Sequence, residues 1–450
     1  MSGQTVSPEV VPPADGEQTG AAEASKGGRP WLMAWLLMAV FTLNILDRQV
    51  VNVLGNEIGR ELQLTDAQLG LLGGIAFSAV YFMFGFPWGW LADRQRVSRV
   101  AVVSSALAIW SGMTVLCGMA QGYGQLLLAR MGVAAGEAGS APAAQSLIAE
   151  TVPREKLARA LAIFGLGIPI GAFLGKSLGG LLTDAYGWRS AFIIVGGPGL
   201  LLSVILLLVL RDPRMSRPKA PPKEARNSSF RQACAEILRS RTIIYSTLGA
   251  TIMGSLVAGG SFWGMMHFQR NLGLSPGEAG VMLGVQGGLT GIVGTLVGGW
   301  VADRWAAKRA RHYLTPGVVG MLLTPPLLVF AWWADSWWLA LVFMTFPTMF
   351  DNMSYGGTNA ATQRLLSPNV RGSAGAVIAM FGTLVGMGLG VTTFGVASDI
   401  VRQHLPEGVP PGESVRYVLM GAAMIYLVPA FFYWRASRNV ERELAEFGEP

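Results

Sequence analysis

The chain is poor in the residues that carry covalent or metal chemistry. Its 450 residues include 2 cysteines and 3 histidines. Cys117 lies in an apolar run and Cys234 in a polar stretch, so neither a disulfide framework nor a metal-ligand spacing can be read. His267, His312 and His404 are far apart, and an interfacial role is the expectation for each. There is no nucleotide-binding loop and no nucleophile–base pair. These absences argue against ATP-driven pumping, against an enzyme and against a resident cofactor or metal. Charge is scarce as well, at 14% of residues. The net charge of +7 would otherwise suggest nucleic acid, but the Lys and Arg residues fall in short loops. There they read as topology signals, and no nucleic-acid partner is expected.

What the chain has in excess is apolar surface and glycine. Hydrophobic residues make up 51% and glycine occupies 59 positions. Apolar runs recur, each near the roughly 20 residues that cross a bilayer as a helix. The expectation is an all-α membrane protein of twelve spans. They fall near 31–54, 69–92, 99–119, 125–149, 159–182, 188–210, 242–270, 278–302, 312–334, 337–361, 373–400 and 414–435. Residues 1–30 begin rich in Pro, Gly, Ala and Glu and read as a disordered tail without the apolar core of a signal peptide. The stretch 211–241 holds nine Lys or Arg and four Pro, too polar to cross lipid. It separates two six-helix bundles, 31–210 and 242–435, and residues 436–450 form a second tail. A short amphipathic helix near 229–240 is expected at the membrane surface.

Basic residues gather after spans 2, 4, 6, 8 and 10. They are Arg94, Arg96 and Arg99; Arg154, Lys156 and Arg159; the linker; Arg304, Lys308, Arg309 and Arg311; and Arg364 and Arg371. The positive-inside bias then places both termini and the linker in the cytoplasm.

The two bundles repeat each other. GWLADRQRVSR (89–99) follows span 2 and GWVADRWAAKR (299–309) follows span 8, at an offset of 210. Span 5 carries Gly167, Gly171, Gly175 and Gly179, and span 11 carries Gly382, Gly386 and Gly390. Such stripes let helix backbones approach closely. Tight packing is their plain reading, although faces that tolerate sliding are also what two moving domains require. Parallel halves joined by a long linker describe an alternating-access transporter. At the edges of the repeated loops, Gly89, Asp93, Arg94 and Arg99, with Gly299, Asp303 and Arg304, are candidates for a cytoplasmic gate. An acid at one helix end, bridged to arginines of neighbouring segments, would latch that side; solvated topology charges are the plain alternative.

Ionisable residues inside spans are functional candidates because lipid selects against them. They are Asp47 and Arg48 in span 1, Arg130 and Glu137 in span 4, Lys176 in span 5 and Asp351 in span 10. At 1.5 Å per residue, Asp47 lies roughly 10 Å, Arg130 roughly 7 Å and Glu137 roughly 18 Å below the outer ends of their helices. Asp47 and Arg130 are therefore level enough to pair. Neighbours on a helix point about 100° apart, so Asp47 and Arg48 should not satisfy one another. Asp47 is expected to face Arg130 or the cavity, and Arg48 another acid or an anionic ligand. Asp351 follows Glu137 by 214 residues, so each half places an acid at a similar level of its fourth helix. Lys176 either lines the cavity or snorkels outward. Desolvation penalises a charged carboxylate, which makes Asp47 and Glu137 the candidates for proton exchange. A static ion-pair network that fixes helix packing is the alternative.

G-x-x-x-D-R with a basic run in both halves, Arg130 with Gly136 in span 4, and GLGIPIGAFLGKSLGG in span 5 resemble the major facilitator superfamily. The likeness covers about residues 31–435 and implies the major facilitator fold, two pseudo-symmetric six-helix bundles in a monomer. Within the superfamily the chain looks most like a bacterial member of the spinster family. The likeness rests on N-x-x-D-R at 44–48, LLLARMGVAAGEAGSAPAAQSLIAE in span 4 and FDNMSYGGTNAATQRLLSPNVRGSAGA across span 10. Ile45 stands where that family has Tyr. The resemblance implies lipid-like amphiphiles as cargo, such as lysophospholipids or sphingosine 1-phosphate-like lipids, in a bacterial inner membrane. It implies proton linkage through Asp47 and Glu137, with Arg48 and Arg130 as ion-pair or headgroup partners; Asp351 and Lys176 are candidates for the same roles. Proton-linked symporters of small organic anions share a span 1 motif of this kind, and there Arg48 would clamp a carboxylate. A non-transporting sensor or channel is a third reading.

Overall fold

The computed structural model describes residues 30–94, 96–216, 230–307, 309–367 and 370–447. The expected tail over 1–29, linker residues 217–229, Lys308, residues 448–450 and the side chain of Arg154 lie outside the described residues.

The described residues form helices and turns without a strand. Span 1 is Pro30–Glu61, span 2 is Asp66–Gly73 with Ile75–Asp93, and span 3 is Arg99–Met119. Span 4 is Tyr123–Glu137 with Ser140–Thr151. Span 5 is Arg154–Gly165 continued by the first part of Gly167–Val209, and span 6 is the remainder of that helix. Spans 7 to 10 are Arg241–Arg270, Pro276–Ala306, Thr315–Trp333 and Trp337–Leu365. Span 11 is Arg371–Phe381, the π-helical Gly382–Leu389 and Gly390–His404; span 12 is Gly412–Ile425 with Leu427–Phe447. Nine helical stretches among the described residues are long and apolar enough to cross a membrane, and one of them, Glu155–Met215, holds spans 5 and 6. The two spans that fall short are 4 and 10, which carry Glu137 and Asp351.

Local chemistry explains the boundaries. The long helix Gly167–Val209 turns back at Gly187, whose φ of 78° lies in the left-handed region that glycine adopts without Cβ strain. The segment expected as a tail from 436 instead continues span 12 as helix to Phe447. Its buried Glu443 accepts hydrogen bonds from Ser240 Oγ (2.6 Å), Arg241 N (3.0 Å) and Thr242 N (3.1 Å), and so caps the start of span 7. The linker helix is Phe230–Arg239, where Glu236 accepts from Ser367 N at 3.1 Å and Ser367 Oγ at 3.0 Å.

Each half is held together by close backbone packing. The span 5 glycine stripe faces span 1, where a Cβ at Gly175 would lie 2.6 Å from the Leu46 carbonyl oxygen. In the other half, Gly386 and Gly390 of span 11 face span 7.

The halves meet through spans 5 and 8, 2 and 11, and 1 and 7, toward the side opposite the linker. Here close packing, as at Gly280 against the Lys176 backbone, is joined by polar contacts. Asp66 accepts from Arg270 Nη1 (2.8 Å) and Ser398 Oγ (2.7 Å), while Asn56 Oδ1 accepts from Arg270 Nε at 2.9 Å. Asp399 of span 11 accepts from Asp66 N (3.1 Å) and Ala67 N (2.8 Å), capping span 2 from the other half. Asp184, at the end of span 5, accepts from Ser275 Oγ (2.7 Å) and Gly277 N (3.0 Å), capping span 8 in the reciprocal sense. Asp184 and Asp399 are 215 residues apart, close to the repeat offset. Span 2 breaks at Gly74, and Thr392 of span 11 enters the break. Its hydroxyl accepts from Ile75 N at 3.0 Å and lies 3.0 Å from Gly70 O and 2.9 Å from Gly388 O. At the linker side, Asp93, Arg94, Asp303 and Arg304 are exposed. The molecule is thus closed at the far side.

An N-cap is worth about 0.5–2 kcal/mol. Replacing Asp184 and Asp399 together by alanine should therefore speed amide exchange over 65–70 and 275–280 by about three- to thirty-fold. Hydrogen–deuterium exchange of the detergent-solubilised protein checks this, with exchange in spans 3 and 6 expected to be unchanged.

Candidate functional site

Four ionisable side chains of the first half meet in two pairs. Arg130 Nη1 donates to Asp47 Oδ2 at 3.0 Å, and Arg48 Nε donates to Glu137 Oε2 at 2.6 Å. Asp47, Arg130 and Glu137 are 2%, 3% and 1% exposed, whereas the Arg48 side chain retains 16%. Asp47 and Arg48, neighbours in the chain, thus point to different partners. A charge pair this deep needs further hydrogen bonds to offset desolvation. Thr114 Oγ1 lies 2.8 Å from Asp47 Oδ1 and supplies one. Aromatic faces supply more. The Arg48 guanidinium lies 4.7 Å from the Tyr81 ring centre and 5.5 Å from that of Phe77, and Arg130 lies 5.1 Å from Phe77. One ring therefore touches both guanidinium groups. Arg130 Nε and Glu137 Oε1 are left without a partner among the described residues.

The backbone of span 4 places Glu137. Its first helix ends at Glu137, and Gly139 N turns back to Gly136 O at 3.2 Å, so the Ala135 carbonyl loses its helical donor. Trp88 of span 2 replaces that donor, with Nε1 at 2.7 Å from Ala135 O. The break is thereby satisfied and Glu137 stands at a helix end facing span 1.

The second half contributes a cavity of about 620 Å³ lined by spans 5 and 7 to 12. Its walls are mostly apolar, including Leu256, Met265, Leu283, Ile292 and Trp332. Among the described residues, Lys176 is its one cation and Asp351 its one acid. Tyr426 Oη donates to Asp351 Oδ2 at 3.3 Å, and Asp351 Oδ1 is buried without a partner among the described residues. Lys176 lines this space and does not lead outward. The structure therefore does not bring all six charges together. Arg48, Arg130, Asp47 and Glu137 form one cluster in the first half, and Lys176 and Asp351 face a cavity built mainly by the second.

Among the described residues, Asp93, Arg94, Asp303 and Arg304 form no ion pair between segments. Arg94 stacks on Trp90 with its guanidinium carbon 3.6 Å from the ring centre, and Arg304 lies 5.9 Å from the centre of Trp300. At Gly89 and Gly299 an added Cβ would meet no atom within 4 Å. Arg99 does not turn toward Asp93. It is buried within its own bundle, where it pairs with Glu150 and donates to Asp212 Oδ1 (2.9 Å) and Oδ2 (3.2 Å). The physical reason is that Asp212, at the end of span 6, also caps span 3 by accepting from Arg99 N at 2.7 Å.

Sequence reasoning missed Phe77, Tyr81, Thr114 and Tyr426, as well as the cross-half set Asp66, Asp184, Arg270, Thr392 and Asp399. No local signal marks the aromatics in spans this rich in them. The three acids carried a faint signal, because each stands at the end of an apolar helix.

Comparison with known proteins agrees with this geometry. The Major Facilitator Superfamily profile matches residues 37–391. An MFS-type efflux pump of Mycolicibacterium smegmatis is 31% identical over 418 residues, covering 93% of this chain and 95% of that protein. A probable galactarate/D-glucarate transporter of Escherichia coli is 26% identical, covering 82% of this chain and 86% of that one. Among solved structures, a bacterial homologue of the human lysosomal transporter spinster, inward-facing and unoccupied, superposes with a TM-score of 0.82. It is 27% identical, and the match covers 93% of this chain and 99% of that one. Twelve helices in two repeated halves, buried ion pairs in the first and a cavity in the second are thus those of an integral membrane transporter: the chain belongs to the Major Facilitator Superfamily and is spinster-like.

Proposed function

We propose that the protein is a proton-coupled secondary transporter of lipid-like amphiphiles that works by alternating access. The observation that carries this reading is the double ion pair, Asp47–Arg130 and Arg48–Glu137, enclosed in the first half of a chain that also holds a mostly apolar cavity carrying Lys176 and Asp351. Protonation of either carboxylate removes the charge that holds its arginine, while the Phe77 and Tyr81 faces keep the guanidinium groups from moving into unsolvated space. The released pair changes the contacts between spans 1 and 4, and that change biases the two halves toward the other state. The basic loops make the linker side cytoplasmic, so closure at the far side corresponds to an inward-facing state. The native membrane is then the bacterial inner membrane.

The cavity supports an amphiphile by its walls. Most of its lining is hydrocarbon, and Ile168 of span 5 with Ile292 and Leu296 of span 8 keep large apolar surfaces uncovered beside it. The likeness to a galactarate/D-glucarate transporter favours a second reading, a proton-linked symporter of small organic anions. The polar cavity residues Lys176, Gln286, Thr348 and Asn352 are its structural support.

In proteoliposomes, an imposed pH gradient should drive movement of a fluorescent lysophospholipid. Asp47→Asn and Glu137→Gln should each abolish the gradient dependence. Gradient dependence that survives in both variants would remove the proton role, and uptake of D-glucarate without lysolipid movement would favour the second reading.

The pairs should also be visible in stability. Arg48→Met strips Glu137 of its ion partner, a loss of about 3–5 kcal/mol for a buried pair. The double variant Arg48→Met/Glu137→Gln should recover most of it. Thermal unfolding of the four proteins of this cycle gives the coupling, and additive losses would contradict the pairing.

A further inference from the structure

We infer that Lys176 is the anion-binding residue of the cavity. It receives a phosphate or carboxylate group of the cargo, while Arg48 and Arg130 serve the proton switch alone. The inference rests on reading the cavity as the cargo site.

The two arginines are committed. Arg130 is bound to Asp47, Arg48 is bound to Glu137, both lie on aromatic faces, and neither lines the cavity. Lys176 is in the opposite position. It takes part in no hydrogen bond or ion pair among the described residues, and it is the one cation on the cavity wall. Its ammonium reaches across from span 5 to span 8, where a Cβ added at Gly287 would sit 3.8 Å from Nζ. The adjacent Gly288 is also bare, which leaves room for a ligand oxygen beside the ammonium.

Several other polar side chains of the cavity are engaged as donors. Gln286 Nε2 donates to Thr348 Oγ1 at 3.1 Å, and Thr348 Oγ1 donates to Met344 O at 2.9 Å. Asn352 Nδ2 donates to Thr348 O at 2.8 Å, which leaves its Oδ1 near span 8, 3.9 Å from where a Cβ at Gly291 would lie. Asp351 Oδ1 adds a second vacant acceptor. Among the described residues the cavity thus offers one cationic donor, Lys176, the hydroxyls of Ser261 and Thr295, and two vacant acceptors, Asn352 Oδ1 and Asp351 Oδ1. That polarity suits an anionic oxygen group flanked by hydroxyl or ammonium donors. A lysophospholipid headgroup and a free polyhydroxy acid share this chemistry.

The location gives the site leverage. The Lys176 backbone packs against Gly280, at the crossing where spans 5 and 8 close the far side. An anion held at Nζ therefore binds beside a contact that must open for passage.

The test uses the full chain in nanodiscs and isothermal titration with three probes: 1-oleoyl lysophosphatidate, 1-monooleoylglycerol and D-glucarate. Lysophosphatidate should bind at least tenfold more tightly than monooleoylglycerol, which has the same acyl chain without the phosphate. Lys176→Gln should abolish that preference and leave monooleoylglycerol binding unchanged. Lys176→Arg should keep the preference, and Lys176→Met, which retains the aliphatic stem, provides a second neutral variant if Lys176→Gln misfolds. If D-glucarate alone binds and Lys176→Gln removes it, the anion site stands and the amphiphile reading falls. A lysophosphatidate preference that persists in both neutral variants overturns the inference and returns the headgroup to the arginines. An absence of anion preference in the native protein, with monooleoylglycerol still bound, overturns the inference and leaves the amphiphile reading intact.

Discussion

A charge taken out of water must be compensated, and this constraint organises the membrane interior of the protein. The first half meets it internally. Two acids and two arginines pair off and share the ring of Phe77, so the cluster is neutral as a whole. Two charges lie outside that cluster, Lys176 of span 5 and Asp351 of span 10, on the wall of a cavity built mainly by the second half, where Tyr426 donates to the acid. The two sets of charges thus differ in electrostatics. One is paired within the protein, while Lys176 of the other has no ion-pair partner among the described residues.

The same logic separates the contacts that must persist from those that must break. Within each half, glycine stripes bring helix backbones into direct contact, as Gly175 does against Leu46. Such packing has no aqueous substitute and favours rigid bundles. Between the halves, carboxylates cap helix ends, Thr392 fills the break in span 2, and Arg270 bridges Asp66 and Asn56. Each of these groups can exchange its protein partner for water at a net cost of about 0.5–1.5 kcal/mol per hydrogen bond. The seam joins such bonds, which fix its register, to close backbone contacts such as Gly280 against Lys176. The reciprocal capping by Asp184 and Asp399 shows that the internal repeat extends to the seam itself.

The likenesses to other transporters fit this division. Relatives that match most of this chain include an MFS-type efflux pump and a probable galactarate/D-glucarate transporter. The ion-pair cluster and the cavity lie on different helices of this chain. In this chain the cavity combines a mostly apolar wall with one lysine ammonium among the described residues, and that combination narrows the chemistry it can hold.

Much of this was legible from the residues alone. The apolar runs and the polar stretch at 211–241 determine twelve helices in two bundles, because lipid tolerates no other use of such segments. The repeated GWLADRQRVSR and GWVADRWAAKR loops reveal the duplication. Helical rise and the angle between neighbours suffice to align Asp47 with Arg130 and to send Arg48 elsewhere, since both follow from geometry within a single helix. Tertiary structure decided what depends on distances between helices. It chose Glu137 as the partner of Arg48, turned Arg99 into its own bundle, placed Lys176 in the cavity, and extended span 12 so that Glu443 could cap span 7. The seam of Asp66, Asp184, Thr392 and Asp399 was beyond sequence reasoning for the same reason. Its donors and acceptors are set by how two separately folded bundles dock, and no local period or spacing in one chain records that docking.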